Sequence, residues 1–281
     1  MRQNDTPIPS STTALVTGCS SGIGRATALA LVQSGFTVWA SARNLESIKD
    51  LEDLGCRTVS LDVTDEDSCA QAISTIANAG SHIGLLVNNA GYSQAGAIEE
   101  LSLETYRAQF ETNVFGLIRL CQLVLPGMRS AGGGTIVNLG SGAGIVTPPL
   151  SSAYAMSKYS LEAFSDSLRF ETSRFGIRTI LIQASAIKSS FTDALERALP
   201  PQPVESPYRA VTQNVLRFAR NEGDNGVAPE RVADTIVESV VSPRPRARYK
   251  VGSQARIGPF ARRVLGDRLW DLFMSRIVRA E

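Results

Sequence analysis

The sequence predicts an α/β protein with a single doubly wound parallel sheet and helices on both of its faces. From residue 13 onward, short β-rich runs alternate with longer helical patterns, which is the order of strands joined by crossover helices. The runs at 14–16 and 85–87 are apolar at consecutive positions, as in strands covered on both faces. At 281 residues, the chain is long enough to bury one large core without a metal or a disulfide.

Seven strands and four long helices account for most of this pattern. The strands are predicted at 13–17, 37–42, 58–61, 85–88, 134–139, 178–183 and 248–251. The helices are predicted at 23–34, 66–79, 103–129 and 153–174. Since crossovers between parallel strands are right-handed, the loops that follow the strands should form one binding edge.

Three regions flank or interrupt the domain, which is expected to cover 12–251. Residues 1–11 are polar and should form a flexible N-terminal segment. The stretch at about 189–229 contains a cluster of four prolines between residues 200 and 207 and breaks the alternation. It is interpreted as a substrate lid, with a mobile surface excursion as the alternative.

Residues 252–281 are predicted to form a basic amphipathic helical extension. Ten arginines and lysines follow residue 242, and the apolar side chains that fall near one helical face are Leu265, Leu269, Leu272, Phe273 and Ile277. Packing on its own domain or on a subunit partner is the favoured interpretation. Peripheral contact with an anionic membrane surface is the alternative.

Composition excludes several classes of function. The net charge of +1 and the 43% hydrophobic content argue against disorder and against a nucleic-acid surface. His82 is the only histidine, which excludes Ser/His/Asp and Cys/His nucleophilic schemes and multi-histidine metal sites. The four cysteines are scattered, so we expect reduced, buried thiols and no metal. No apolar run reaches about 18 residues, and the chain is expected to be cytoplasmic, without a transmembrane segment.

A glycine-rich turn links the first predicted strand to the first helix, as in Rossmann-type domains. Glycine allows a tight turn and close approach of a pyrophosphate, and the helix start stabilises its charge. In this position the motif indicates a dinucleotide site. The candidate cofactor-binding residues of the turn are Gly18, Ser20, Ser21, Gly22, Ile23 and Gly24.

The end of the second predicted strand bears on which dinucleotide is bound. The strand ends in Ala42 and is followed by Arg43, and no carboxylate is present there to accept hydrogen bonds from a ribose 2′-hydroxyl. A guanidinium is suited to a 2′-phosphate, so NADP(H) is favoured over NAD(H).

A serine, a tyrosine and a lysine follow the fifth predicted strand. Ser141 lies thirteen residues before Tyr154, and Lys158 lies one helical turn after Tyr154, so the tyrosine and the lysine share a helix face. A free phenol has a pKa of about 10, which is too high for efficient proton exchange at neutral pH. The Lys158 ammonium is therefore expected to lower the pKa of Tyr154.

Together these motifs resemble the short-chain dehydrogenase/reductase family, in the branch of the hydroxysteroid and retinol dehydrogenases. The resemblance covers about residues 12–190, and the matching motifs are 17–24, 88–91, Ser141 and 154–158. It implies that Ser141 holds a substrate carbonyl, Tyr154 transfers a proton, and Lys158 binds the nicotinamide ribose. It also implies that Asn113 supports a proton relay, and that the remaining cofactor contacts come from Asp62, Val63, Asn89, Ala90, Gly91, Ile187 and Ser189.

One segment departs from the family pattern. After the sixth predicted strand the family usually carries Pro-Gly, whereas this chain has Ala184-Ser185. Losing the proline should loosen the loop, and a serine side chain at a glycine position should restrict the backbone or intrude on the pocket. We therefore hypothesise altered nicotinamide seating or substrate scope.

The predicted activity is an NADP(H)-dependent interconversion of a ketone or aldehyde and an alcohol. The presumed pocket segments 93–98, 142–150 and 191–199 are mostly small or apolar, which favours a hydrophobic, steroid-like or other lipophilic substrate. The alternative function is an NADPH-binding sensor without turnover. The long helices at 103–129 and 153–174 resemble those that pair subunits in this family, so a homodimer or homotetramer is expected.

Overall fold

A computed structural model describes residues 11–188, 198–199 and 205–278 of the chain. In these ranges seven parallel strands form one sheet, in the order β3-β2-β1-β4-β5-β6-β7. The strands are β1 (Thr13–Val16), β2 (Thr37–Ala42), β3 (Arg57–Ser60), β4 (Ile83–Asn88), β5 (Gly134–Ser141), β6 (Ile177–Ala184) and β7 (Arg248–Val251). The strand order reverses between β1 and β4, the place where doubly wound sheets bind ligands.

Helices cover both faces of the sheet, as predicted. They are α1 (Gly22–Gln33), a short α2 (Asp50–Asp53), α3 (Glu66–Asn78), α4 (Leu103–Phe110), α5 (Gly116–Ser130), α6 (Ser152–Thr172), α7 (Arg209–Asp224), α8 (Pro229–Val241) and α9 (Gln254–Val278). The last of these is broken at Gly266, whose φ of 64° and ψ of 178° are not helical. The predicted fold class is thereby confirmed.

The strand sequences explain why helices cover both faces of the sheet. On β1, Ala14 and Val16 face a core formed with α1 and α8. Leu15 between them faces a second core, formed with α3, α5 and α6. Because neighbouring residues of a strand point to opposite faces, a strand between two helical layers must be apolar throughout.

The predicted helix at 103–129 is wrong as a single α-helix. A π-helical turn (Glu111–Phe115) separates α4 from α5. In this wider turn the Asn113 side chain hydrogen-bonds the backbone of Tyr92 and the hydroxyl of Ser157. These tertiary contacts override the local helical periodicity, as is common for π-turns at functional sites.

Several predicted segments fall partly outside the described residues. This holds for 1–10 of the N-terminal segment and for 189–197 and 200–204 of the predicted lid. Within the lid, α7 is described, and Ile187 forms a parallel bridge with Val227. The side chain of Ile277 in the C-terminal extension also lies outside the description.

Two further sequence expectations concern cysteines and membranes. Cys19, Cys56, Cys69 and Cys121 are free and buried, as predicted. In the described part of the chain, we find no helix with the length and apolar character needed to span a bilayer.

Candidate active site

The glycine-rich turn leaves β1 and enters α1 with a backbone that only glycine adopts readily. Gly18 and Gly22 have φ values of 72° and 56°. At Gly24 the reason is steric, because a Cβ atom would lie 2.3 Å from the Gly18 carbonyl oxygen and 2.4 Å from Asn89 Nδ2. The turn is thus packed directly against the segment that follows β4.

The start of α1 is open to an anion. Ser21 is its N-cap residue, yet within the described chain the Ser21 side chain accepts no capping hydrogen bond and the first turn contains no acidic residue. The amide groups and the positive end of the helix dipole are therefore available to a phosphate. The local geometry fits the pyrophosphate of a dinucleotide.

Thr17 and Asn89 connect the ends of β1 and β4. The Thr17 hydroxyl accepts hydrogen bonds from the amides of Asn89 and Ala90, at 3.0 and 2.9 Å. Asn89 Nδ2 donates to the carbonyl oxygens of Thr17 and Gly18, at 2.8 and 3.1 Å. This closed set of bonds fixes the two loops where the strand order reverses.

Arg43 and Asp62 lie at the ends of the neighbouring strands β2 and β3. Arg43 is exposed. Asp62 accepts hydrogen bonds from the amide and hydroxyl of Thr64, at 3.0 and 2.8 Å. Burial opposes ionisation of Asp62, but these bonds and the charge of Arg43 outweigh it and lower its pKa.

The residue after Asp62 is held by an arginine that sequence reasoning missed. Arg119 Nη1 donates to the Val63 carbonyl oxygen at 2.8 Å, and Arg119 also pairs with Glu111 at 3.0 Å. A Cβ atom at Gly116 would lie 2.6 Å from the same Val63 carbonyl. Helix α5 therefore packs tightly beneath the predicted adenine contact.

Ser141, Tyr154 and Lys158 come together at the carboxyl end of β5. Ser141 is the last residue of that strand, while Tyr154 and Lys158 lie in the first two turns of α6. Ser141 and Tyr154 are joined by a side-chain hydrogen bond. Lys158 Nζ lies 5.6 Å from the centroid of the Tyr154 ring, so all three predicted side chains form one cluster.

Lys158 is anchored inside the protein. The residue is 8% exposed, and its Nζ donates to the Leu139 carbonyl oxygen at 2.7 Å. Burial lowers the pKa of this ammonium to about 8. This bond to a β5 carbonyl connects α6 to the sheet one helical turn after Tyr154.

The predicted downward shift of the Tyr154 pKa is wrong for this arrangement. Burial raises the pKa of the phenol, and the hydrogen bond with Ser141 offsets that rise only in part. The Lys158 ammonium, which was expected to lower this pKa, donates a hydrogen bond to the Leu139 carbonyl oxygen. Tyr154 is therefore a protonated phenol at neutral pH.

Asn113 connects three segments around this cluster. Its Oδ1 accepts from the Tyr92 amide at 3.1 Å, and its Nδ2 donates to the Tyr92 carbonyl at 2.9 Å and to Ser157 Oγ at 3.1 Å. A Cβ atom at Gly91 would lie 3.0 Å from Asn113 Oδ1. Sequence reasoning missed Tyr92 and Ser157. Ser157 could have been found from the sequence, because it lies between Tyr154 and Lys158 in the same motif.

The Ala184-Ser185 departure lies where β6 leaves the sheet. Ala184 still pairs with Ser141 of β5 and with Val251 of β7. Backbone hydrogen bonds of 2.9 Å then join Ser185 to Val251, and Ala186 and Lys188 to Val227. The predicted loosening is thus wrong over 185–188, because the main chain is tied on both sides.

The Ser185 side chain lies against Gly252. A Cβ atom at Gly252 would sit 1.8 Å from Ser185 Oγ. Of the two predicted cofactor contacts after β6, Ile187 is described and Ser189 lies outside the described residues.

The chain is similar in sequence to known proteins over most of its length. A family model described as short chain dehydrogenase matches residues 12–199. The chain is 33% identical over 245 residues to the 3-ketodihydrosphingosine reductase of Bacteroides thetaiotaomicron, covering 86% of this chain and 88% of that protein. It is 30% identical over 267 residues to the NADPH-dependent 3-dehydrocapnine reductase of Ornithobacterium rhinotracheale, covering 92% and 94%.

A solved structure also matches nearly the whole chain. The short-chain dehydrogenase from Streptomyces avermitilis superposes with a TM-score of 0.81 at 31% identity, over 95% of this chain and 98% of that one.

The packing at Gly24 predicts a sharp effect of a single methyl group. Gly24→Ala should lower the free energy of unfolding by about 1–3 kcal/mol and abolish dinucleotide binding, because the Cβ atom forces Gly18 and Asn89 apart. Chemical denaturation and cofactor titration measure both effects.

The matched control is Gly127→Ala in α5, whose Cβ atom would lie 3.4 Å from His82. That variant should be stabilised by about 0.5–1 kcal/mol with binding unchanged. Equal behaviour of the two variants would contradict the steric argument.

The burial of Lys158 predicts a pH-dependent difference in stability. Its pKa is about 8 in the folded protein and 10.5 for an unperturbed lysine, so the unfolded chain binds more protons between these values. The unfolding free energy of the wild type should therefore rise from pH 8 to pH 10.5 relative to Lys158→Met, by about 1–3 kcal/mol. Urea denaturation at several pH values gives the difference. Exposed Lys49→Met is the control, and a pH-independent difference for Lys158→Met would refute the shift.

Proposed function

The chain belongs to the short-chain dehydrogenase family, and from that premise we propose that it is an NADP(H)-dependent oxidoreductase acting on lipophilic carbonyl compounds. It would interconvert a ketone or aldehyde and the corresponding alcohol. The observation that carries the proposal is the cluster of Ser141, Tyr154 and Lys158 at the carboxyl end of β5, beside an open phosphate-binding turn. This combination supplies both a place for the cofactor and a proton donor next to it.

The cofactor site fits a dinucleotide from its phosphates to its adenosine end. The uncapped start of α1 would hold the pyrophosphate, and the missing Cβ atom of Gly24 lets the turn pack against Asn89. Asp62, Val63, Asn89, Ala90 and Gly91 would line the adenosine half, and Ile187 and Ser189 the nicotinamide half. When bound, the nicotinamide supplies or accepts the hydride.

NADP(H) is the proposed form of the cofactor. Arg43 is exposed directly after β2, and the residue before it is the apolar Ala42. A guanidinium at this place can form charge-assisted hydrogen bonds with a 2′-phosphate. The NADPH dependence in the name of the Ornithobacterium relative supports the same choice.

Tyr154 is the proposed general acid in the direction of reduction. At neutral pH the phenol carries the proton that a carbonyl oxygen would receive. Its raised pKa makes the phenol a weaker acid, so Ser141 and Lys158 would have to assist the transfer. Ser141 would donate a hydrogen bond to the same oxygen. Lys158 would orient the cofactor ribose and return a proton to Tyr154, with Asn113 supporting that path.

Lipophilic ketones are the proposed substrates. The segment after Ser141 presents small and apolar residues, among them Ala143, Ile145 and Val146. The Bacteroides relative is named for the reduction of a sphingoid ketone. Steroid-like carbonyls, which the resemblance implies, and sphingoid-like ketones are therefore the two classes to compare first.

A homodimer or homotetramer is proposed as the assembly. Helices α5 and α6 carry exposed large apolar side chains, including Leu123 and Met156. Such side chains on neighbouring helices suit a subunit contact.

The catalytic proposal predicts that removing one hydroxyl stops turnover. With NADPH and a panel of steroid-like, sphingoid-like and short ketones, the wild type should oxidise NADPH. Tyr154→Phe should reduce kcat by at least about a hundredfold, while its cofactor affinity stays within a few-fold. Absorbance at the NADPH band measures turnover, and fluorescence titration measures affinity. Tyr249→Phe on β7, whose hydroxyl accepts a hydrogen bond from the Arg246 amide at 3.0 Å, is the control with retained activity. Cofactor binding by the wild type without turnover of any compound would instead indicate a sensor.

The cofactor proposal predicts a selective effect at Arg43. Arg43→Ser should weaken NADPH binding at least about tenfold, since charge-assisted hydrogen bonds to the 2′-phosphate are lost. NADH binding should stay unchanged. Calorimetric titration of both cofactors gives the ratio, and Lys49→Ser is the control for a lost surface cation. Parallel loss of both affinities would count against a role in 2′-phosphate recognition.

A further inference from the structure

The C-terminal helix α9 exposes an unusual amount of apolar surface. Seven large apolar side chains, between 38% and 69% exposed, lie along it. We call them the C-terminal apolar face: Ile257, Phe260, Val264, Leu265, Leu269, Leu272 and Phe273. Soluble proteins rarely leave such contiguous apolar surface to water without a function for it.

The spacing of these residues places them on defined stripes. Before the break at Gly266, Ile257, Phe260 and Val264 follow helical spacing on one side. After it, Leu269, Leu272 and Phe273 do the same. The face is therefore a property of both halves of α9, and the packed residues Ala255 and Trp270 point elsewhere.

The two halves of α9 are held together around Arg262. This side chain pairs with Asp267 at 2.7 Å and lies over the Trp270 ring, 5.8 Å from its centroid. Trp270 in turn packs on Phe273, with ring centroids 5.7 Å apart. These contacts bridge the break at Gly266, and the apolar side chains of both halves are exposed.

The face is bordered by positive charge. Residues 254–278 carry a net charge of +3, from five arginines and two aspartates. Of these, Arg256, Arg263, Arg268 and Arg276 lie on the exposed surface of α9. Arginine stems can lie along an apolar surface while their heads reach phosphate groups.

Helix α9 also lies beside the candidate active site. Its first half packs on the segment that follows Ser141: a Cβ atom at Gly142 would lie 3.8 Å from the Ala255 Cα, and one at Gly258 would lie 3.9 Å from Val146. A cavity of about 150 Å³ lies between this segment and α9. It is lined by Val146, Thr147, Tyr159, Arg262, Trp270 and Asp271.

We propose that the C-terminal apolar face docks on the surface of an anionic lipid bilayer. The apolar stripes would enter the boundary between headgroups and acyl chains, and the surrounding arginines would bind the lipid phosphates. Docking would bring the segment after Ser141 close to the bilayer. This surface goes beyond the proposed catalytic function and does not depend on it.

Charge favours the bilayer over a second copy of the chain. A two-fold contact through this face would place the same patch of each copy against the other. Two surfaces with a net charge of +3 would then meet, which opposes association. An anionic bilayer complements the same charge.

Vesicle flotation with the full chain tests the proposal without any turnover. Partition onto phosphatidylcholine vesicles that contain roughly one third phosphatidylglycerol should be at least about tenfold stronger than onto phosphatidylcholine alone. Val264→Ser/Leu269→Ser should reduce that partition at least about tenfold. Arg263→Gln/Arg268→Gln/Arg276→Gln should remove the preference for the anionic vesicles.

The matched control is Leu54→Ser/Val241→Ser, which changes a leucine and a valine that are 50% and 43% exposed. Leu54 comes before β3 and Val241 before β7, so both lie towards the amino ends of the strands. Helix α9 instead begins after the carboxyl end of β7. This control should bind vesicles like the wild type. Equal partition of the wild type onto both vesicle types, or equal partition of the two serine pairs, would overturn the proposal. So would light scattering that shows oligomers lost in Val264→Ser/Leu269→Ser without vesicle binding by the wild type. Reduction of a water-soluble ketone by the same variants reports separately on the catalytic proposal.

Discussion

The buried hydrogen bond from Lys158 to the Leu139 carbonyl is the contact on which the candidate active site depends. It holds the Lys158 ammonium in the protein interior. Burial disfavours this charged form and therefore lowers its pKa to about 8. In return, α6 is fixed against β5 within one turn of Tyr154. The hydroxyl of Ser141, at the end of the same strand, then meets the phenol. A site of this kind gives up stability for a defined geometry.

Side-chain amides extend that geometry across the central sheet. Asn88 on β4 donates to Asn138 on β5 at 3.0 Å, and Asn138 donates to Ser165 on α6 at 3.0 Å. Asn113 connects the loop after β4 to α6, because its side-chain amide donates to the Tyr92 carbonyl and to the Ser157 hydroxyl. Each of these contacts is buried or partly buried, where a hydrogen bond that is lost leaves a costly unpaired group. The loops at the carboxyl edge are therefore held by the layer beneath them.

The fold could be predicted from the sequence because the apolar pattern indicates where strands and helices lie, and the glycines indicate where the chain turns. The strands β2 and β7 have their predicted bounds, and the other strands differ by one or two residues at one or both ends. The π-turn at Asn113 escaped prediction because tertiary contacts create it. The break at Gly266 was also not predicted, although a glycine can adopt its positive φ. The direction of the Tyr154 pKa shift also escaped, because burial is a property of the folded chain. Family motifs identified the cluster, but they said nothing about Tyr92 beside it or about Arg119 at the predicted adenine contact.

Direct hydride transfer is the central claim, and isotope tracing tests it most directly. The wild type would be incubated with a lipophilic ketone and NADPH that carries deuterium at the reactive nicotinamide carbon, in ordinary water. Mass spectrometry of the alcohol should find one deuterium on the carbinol carbon, from one of the two stereospecifically labelled cofactors. Alcohol that forms without deuterium from either cofactor, or bound cofactor with no alcohol formed, would contradict the account.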